Sequence, residues 1–203
     1  MKIYRPTTVI VGVVFVLLGG ILRLADPAEV LDDSSRQLVR GSIGAPLTGK
    51  DFTLTVTRVK FAQKVLQSES DDPDEVLTTE GVFVAVEFEV AGRHLPETIG
   101  DLSLETDGGA TYEPFSSPSA TSATAPAPGF TESQAAVFEV NPADLAGLTL
   151  RVTPMQFISY FTTNYAIDLG IPSEDVAADL VAKASTATGQ EYLVPRPQLR
   201  VTS

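Results

Sequence analysis

From residue 51 onward, apolar and polar residues alternate with a period of two, which is typical of strands with one buried face. The clearest example is GVFVAVEFEV, in which apolar residues alternate with Glu87 and Glu89. Before it, the apolar positions pass from Val56 to Val59, a change of parity that predicts a β-bulge or a sheet edge. Further strands are predicted at Asp101 to Thr106, Ala110 to Phe115, Gln134 to Val140, Leu148 to Thr153, and within the aromatic run from Gln156 to Gly170.

The turns between these segments predict how the strands connect. Asp107-Gly108-Gly109 stands between two of the predicted strands and indicates a hairpin. About seven short antiparallel strands in about 120 residues favour a β-sandwich over a barrel or a parallel sheet. The predicted fold class is therefore all-β.

The pattern becomes helical after residue 171. Pro172 and Ser173 begin a predicted amphipathic helix, and Glu174 and Asp175 lie at its positive N-terminal end. Such a short helix needs to pack on the sandwich or on a partner. Gln190 to Val194 is a candidate edge strand, and the prolines of VPRPQLRVTS predict an extended tail with little pairing. The apolar stripe of the helix comprises Val176, Ala177, Leu180, Val181 and Ala184.

The N-terminus contains 14 uncharged residues, from Val9 to Leu22, preceded by Lys2 and Arg5. This arrangement fits both a signal peptide and a short signal anchor. Pro6 to Ala25 is long enough to span a membrane, at about 30 Å as a helix, if Arg23 reaches the interface. Arg5 and Arg23 are thus the candidate membrane-interface residues.

Cleavage by a signal peptidase needs small residues at the third and first positions before the cut. A cut after Ala25 puts Arg23 at the third position, and a cut after Ala28 puts Asp26 there. We therefore favour an uncleaved anchor with a cytoplasmic N-terminus and an extracytoplasmic C-terminal domain. Cleavage and secretion is the alternative.

The predicted organisation has four parts. The ranges are 1–25 for the signal anchor or transmembrane helix, 26–50 for a polar tether, 51–171 for the sandwich, and 172–203 for the helix and extended tail.

Charge and cysteine content limit the partners. All 26 acidic residues lie at or beyond Asp26, but three of the 14 basic residues precede it, so the remainder carries 11 − 26 = −15 charges. This charge disfavours binding to nucleic acid and adsorption to anionic lipid, so the expected membrane contact is through the N-terminal helix alone. The chain has no cysteine, which excludes disulfides, thiolate metal sites and the modified cysteine of a lipoprotein.

Two segments together resemble a known family. These are EGVFVAVEFEVAGRHLPETIGDLSLETDGGATYEP and PGFTESQAAVFEVNPADLAGLTLRV. They resemble the telokin-like, immunoglobulin-like extracellular domains of exported bacterial proteins, including actinobacterial ones, whose functions are mostly unassigned. The resemblance implies an immunoglobulin-like antiparallel β-sandwich outside the cytoplasm, and it brings no catalytic residues. The loop Ala91-Gly92-Arg93-His94 and the chain beyond residue 172 depart from the family pattern.

Candidate catalytic and metal-binding chemistry is sparse. His94 is the single histidine, so a histidine-based metal cluster is excluded, and it lies in ordinary loop composition. The acidic run 69–75 offers oxygen ligands for Ca²⁺ but lacks EF-hand spacing, and a solvated loop is the simpler interpretation. We predict no enzyme activity, no cofactor and no metal.

Two features are candidates for partner contact. Phe157, Tyr160, Phe161 and Tyr165 cannot all lie on one face of a strand, so some of them are covered by the C-terminal helix or by another protein. The loop 115–130 is rich in small residues and proline, and it is a linker, a glycosylated segment or a contact loop. The predicted function is a non-enzymatic, membrane-anchored extracytoplasmic interaction module with a protein partner in a cell-envelope or transport complex. The alternative is a secreted ligand-binding or antigen-like protein.

Overall fold

A computed structural model describes residues 37–66, 76–94, 97–115, 124–154, 163–186 and 191–202. Gln37–Ser203 forms one compact unit. The strands are β1 (Gln37–Ser42), β2 (Leu47–Thr48), β3 (Phe52–Leu66), β4 (Val76–Gly92), β5 (Glu97–Glu105), β6 (Thr111–Tyr112), β7 (Thr124–Ala125), β8 (Phe130–Val140), β9 (Thr149–Pro154), β10 (Thr163–Asp168), β11 (Glu191–Leu193) and β12 (Gln198–Val201); the helix α1 spans Glu174–Ala184, and a 3-10 turn spans Pro142–Asp144.

The strands form two six-stranded sheets. Sheet I has the order β1-β10-β9-β5-β6, with β7 beside β5. Sheet II has the order β11-β3-β4-β8-β12, with β2 beside β3. Most pairs are antiparallel, as predicted, but β1 pairs with β10 in parallel and β11 pairs with β3 in parallel.

One apolar core lies between the two sheets and makes the structure a β-sandwich. Phe52 and Leu54 of β3 are fully buried against residues of sheet I such as Leu150. The Phe52 ring stacks on the Tyr165 ring of β10, with ring centroids 4.9 Å apart. Because alternate residues of a strand point to opposite faces, the period of two in the sequence produces this core, and the predicted β-sandwich is confirmed.

The predicted irregularity in β3 is confirmed as a shift in register against β4. Val56 pairs with Phe88, but the next pair is Arg58 with Glu87, so one residue of β3 is extra. After the bulge, Val59 continues the inner face, opposite Val86.

The central part of sheet II is buried on both faces, which the alternation does not predict. Phe83 and Ala85 lie on its outer face, yet each is at most 2% exposed. Tyr192 and Val194 from the C-terminal segment pack on this outer cluster. The outer face of β4 is therefore a second, smaller apolar core.

Both ends of the described chain correct the predicted boundaries. Residues 37–50, assigned to the tether, contain β1 and β2, and Val39 packs against the main core. The C-terminal tail, predicted to be largely unpaired, contains β12, which pairs with β8 from Gln198 to Val201. Edge strands are held by backbone hydrogen bonds and bury few side chains, so their sequences show little apolar alternation.

The C-terminal helix is confirmed as α1. Ser173 caps its N-terminus, where the hydroxyl accepts a hydrogen bond from the Val176 amide at 3.4 Å. Ala177 and Ala184 are buried against the main core, and the Gln63 amide of β3 donates to the Ser185 hydroxyl at 3.0 Å. In the part of the chain described here, no helix is long and apolar enough to cross a membrane, and the predicted anchor lies outside that part.

Gly92 is the last residue of β4 and lies against the segment that precedes β8. We predict that Gly92→Ala destabilises the domain. A Cβ atom at this position would overlap the backbone carbonyl oxygen of Pro126 and lie 2.8 Å from that of Ala127. Because backbone atoms cannot move aside cheaply, we expect a loss of about 2 kcal/mol or more in the free energy of unfolding.

Urea denaturation measures this loss, with Gly108→Ala as the control. The nearest atom to a Cβ at Gly108 is the Thr106 hydroxyl oxygen at 3.6 Å. We expect the control to lie within about 1 kcal/mol of the wild type. Equal stability of the two variants would contradict the close approach at Gly92.

Candidate functional site

The sequence-predicted contact residues divide between the core and undescribed parts of the chain. Phe157, Tyr160 and Phe161, together with the membrane-interface residues Arg5 and Arg23, lie outside the described residues. The acidic run 69–75 and residues 116–123 of the loop 115–130 also lie outside them.

Tyr165 is a core residue, which corrects its assignment as a partner contact. It is 1% exposed, and its hydroxyl donates to the Phe52 carbonyl at 3.1 Å across the two sheets. Gly49 lies against this hydroxyl, so the tyrosine is enclosed on the β2 side as well. Its aromatic surface stabilises the sandwich and is not offered to a partner.

His94 lies in the loop directly after β4 and is exposed. Its backbone amide donates to the Asp51 carbonyl at 3.3 Å, which continues the pairing of β4 with β3. In the described ranges, no three acidic or histidine side chains lie close enough together to hold a metal ion.

The candidate site is a groove of about 480 Å³ along the edge of β3, between α1 and β11. Binding sites for ligands commonly have volumes of this size. The groove combines an apolar floor with charged side chains at its margin. Its lining residues are Arg58, Val59, Lys60 and Phe61 from β3, Leu180, Lys183 and Ala184 from α1, and Glu191, Tyr192 and Leu193 from β11.

A second cavity, of about 560 Å³, lies between α1 and the 3-10 turn. Its lining is mostly alanine, with Glu174 as the one charged residue among those that line it. Few polar groups are present there to orient a ligand. The groove beside β3 is therefore the better candidate for specific recognition.

Two residues that line the groove, Arg58 and Tyr192, share one carboxylate as their hydrogen-bond partner. Glu87 accepts two hydrogen bonds from the Arg58 guanidinium, at 3.0 and 2.5 Å, across the β3–β4 pair. The Tyr192 hydroxyl donates to the same carboxylate at 3.1 Å. This network joins β3, β4 and β11, and it fixes the Arg58 side chain against the sheet.

The network determines the charge state of its members. Burial, followed by the charge of Glu87 and the hydrogen bond to it, raises the pKa of Tyr192 well above its ordinary value of 10.0. The hydrogen bond and the charge of Glu87 also raise the pKa of Arg58. Tyr192 is thus a neutral donor, and the charges of Arg58 and Glu87 offset each other.

Two lysines leave the groove positively charged. Among the described residues, no carboxylate lies within 4.0 Å of the Lys60 or Lys183 amino groups. Glu191 contacts Lys64 instead, at 3.8 Å. In a chain with a net charge of −12, this region is locally cationic and attracts negatively charged groups.

The sequence contains each groove residue but does not indicate that they meet. Glu87 looks like an ordinary solvated residue on the outer face of a strand, and its partner Tyr192 is 105 positions away. The change of parity near residue 57 was the available signal, because bulges redirect side chains at functional edges.

We predict that Tyr192→Phe lowers stability in a pH-dependent way. The variant keeps the ring and loses the hydrogen bond to Glu87, so we expect it to be about 1 kcal/mol less stable than wild type at neutral pH. The folded-state pKa of Tyr192 is raised, so its stabilisation is complete below the unfolded-state pKa of 10.0 and is lost as the pH rises above it.

The stability difference between wild type and Tyr192→Phe should therefore shrink by roughly 1 kcal/mol between about pH 8 and about pH 11. Urea denaturation of both proteins at each pH measures it, and taking the difference removes the contributions of the other tyrosines. A difference that is constant with pH would contradict the assigned environment of Tyr192.

No protein-family model matches the chain, and no curated protein matches it significantly. Solved structures similar to it include the yjhA protein from Bacillus subtilis, with 13% identity and a TM-score of 0.49 over 64% of this chain and 99% of that one. An uncharacterized β-sandwich protein from Clostridium difficile has 9% identity and a TM-score of 0.39 over 66% and 93%. A conserved hypothetical protein from Bacillus anthracis has 17% identity and a TM-score of 0.40 over 61% and 93%. Similarities in this range assign neither a family nor an activity to the chain.

Proposed function

We propose that the protein is a non-enzymatic interaction module, anchored in the membrane by its N-terminal segment, whose sandwich binds a protein partner outside the cytoplasm. The observation that supports it most is the cationic groove beside β3. A strand edge and an apolar floor occur there together with two lysines that have no carboxylate partner among the described residues. Such a combination provides a concave surface, the backbone groups of a strand edge and charged side chains, all of which can take part in recognising a protein partner. A partner in an envelope or transport complex fits this proposal.

The anchor is supported by sequence. The apolar run from Val9 to Leu22 follows two basic residues, and Arg23 occupies the position where a cleavage site needs a small residue. A short basic N-terminus with the bulk of the chain following it is the usual order for an exported C-terminal domain.

We also propose that the sandwich is of the immunoglobulin-like type. In sheet II, β3, β4 and β8 are neighbours, and in sheet I, β5, β9 and β10 are neighbours in the order β10-β9-β5. These positions correspond to strands A, B and E of one immunoglobulin sheet and strands C, F and G of the other. The sequence resemblance to extracellular domains points the same way.

A secreted ligand-binding or antigen-like protein is the second candidate, because the apolar run is also as short as the hydrophobic region of a signal peptide. Mass spectrometry of the mature protein from the native membrane separates the two. The anchored form predicts intact peptides that include residues 6–25. A mature N-terminus beyond residue 25, in the soluble fraction, would show release instead.

Site-specific cross-linking tests the interaction. A benzophenone amino acid at Lys60 should cross-link to one defined protein in native membranes, and the same amino acid at the exposed Lys50 should not. Lys50 lies between β2 and β3 and does not line the groove, which makes it a matched control. Recovery of a lone monomer from both positions would count against an interaction module.

A further inference from the structure

We propose that the groove accepts an extended, acidic segment of the partner as an added β-strand along the open edge of β3. This inference rests on the proposed function, because it specifies the chemistry of the partner at the same site. It depends on the juxtaposition of a stretch of the β3 edge, with which no described strand pairs, with Lys60 and Lys183.

Among the described residues, the edge of β3 that faces the groove is paired at its two ends. On that side, β2 pairs with β3 at Thr53 and Leu54, and β11 pairs with it from Lys64 to Leu66. Within the described chain, no strand pairs with residues 57–63 on this side. The gap is about 20 Å long, enough for a strand of about six residues.

The backbone groups in the gap are directed toward the groove. The Val56 carbonyl accepts from the Gly44 amide and so points away from β4. The register resumes at the pair Arg58–Glu87, one residue late, and the alternation of an antiparallel ladder then directs the backbone groups of Val59 and Phe61 away from β4. An extended peptide can pair with these two residues as strands do in β-augmentation.

The side chains around the gap set the composition of that peptide. Lys60 is on the outer face of sheet II, opposite Ala85, and no described carboxylate neutralises it. Val59 and Phe61 are on the inner face, beside Leu180 of α1. Because side chains of a strand alternate between faces, an added strand with acidic residues toward Lys60 has apolar residues toward the inner-face side chains Val59, Phe61 and Leu180.

The positive charge of the groove also disfavours a basic ligand. Arg58 is held by Glu87, so Lys60 and Lys183 are the cations that are available to the ligand. The chain elsewhere is strongly acidic and repels an acidic segment, so such a segment is favoured at this groove over the rest of the surface.

Fluorescence anisotropy of the full-length protein in detergent tests the proposal. The probe is a labelled, acetylated peptide of alternating valine and glutamate, about eight residues long. We expect Lys60→Gln and Lys183→Gln each to weaken its binding about threefold and the double variant about tenfold, since exposed charge pairs are individually modest. Lys50→Gln is the control and should bind as the wild type does. Higher salt should weaken binding.

Two further measurements identify the binding mode. N-methylation of alternate amides in the probe should abolish binding in one phase of alternation and leave it nearly unchanged in the other, because only one set faces β3. Hydrogen exchange should show protection of the Val59 and Phe61 amides when the probe is bound.

The proposal is overturned if a valine–lysine peptide binds as tightly, if the two lysine variants bind unchanged, or if Val59 and Phe61 gain no protection. These failures are distinguishable from failure of the proposed function. Cross-linking at Lys60 without acidic-peptide binding would refute the acidic strand alone. Peptide binding without any membrane partner would instead refute the interaction module.

Discussion

The register shift between Val56 and Arg58 is the constraint on which the candidate site depends. Without the extra residue, a continuous alternation would put Arg58 and Lys60 on the inner face with Val56, and two charges would enter the apolar core. The bulge instead keeps Val59 in the core and sends both cations outward. It also bends the strand, as bulges do, at the place where its edge loses its neighbours.

Once Arg58 is outside, Glu87 organises the surrounding residues. Its carboxylate receives the Arg58 guanidinium from one strand and the Tyr192 hydroxyl from another, and its own side chain is 16% exposed. A cross-strand charge pair contributes only about 0.2–1 kcal/mol, and the exposure of Arg58 favours the lower end. The larger effect is structural, because the Tyr192 hydroxyl bond to the same carboxylate ties β11 to the sheet. With Arg58 paired to Glu87, Lys60 and Lys183 are the groove cations that have no carboxylate partner among the described residues.

The outer face of sheet II shows how the C-terminal segment completes the domain. Phe83 and Ala85 are apolar on the face where a solvated sheet has polar residues, and Tyr192 and Val194 pack against them. The C-terminal segment is consequently part of the folding unit. Its strands β11 and β12 occupy opposite edges of the same sheet, so one short stretch of chain covers part of both edges.

The sequence by itself determined the elements in which the side chains on each face meet a single environment, such as the apolar core. Alternation over Val82 to Val90 places the core face of β4, Ser173 and the two acidic residues after it begin α1, and Asp107-Gly108-Gly109 forms the predicted hairpin. Tertiary structure alone decided the rest. The pairing of β1 with β10, the burial of Tyr165 under Phe52, and the meeting of Glu87 with Tyr192 join residues 105 to 126 positions apart. Local pattern records which face of a strand is apolar, but not which distant strand supplies its neighbour, and the groove is made of such neighbours.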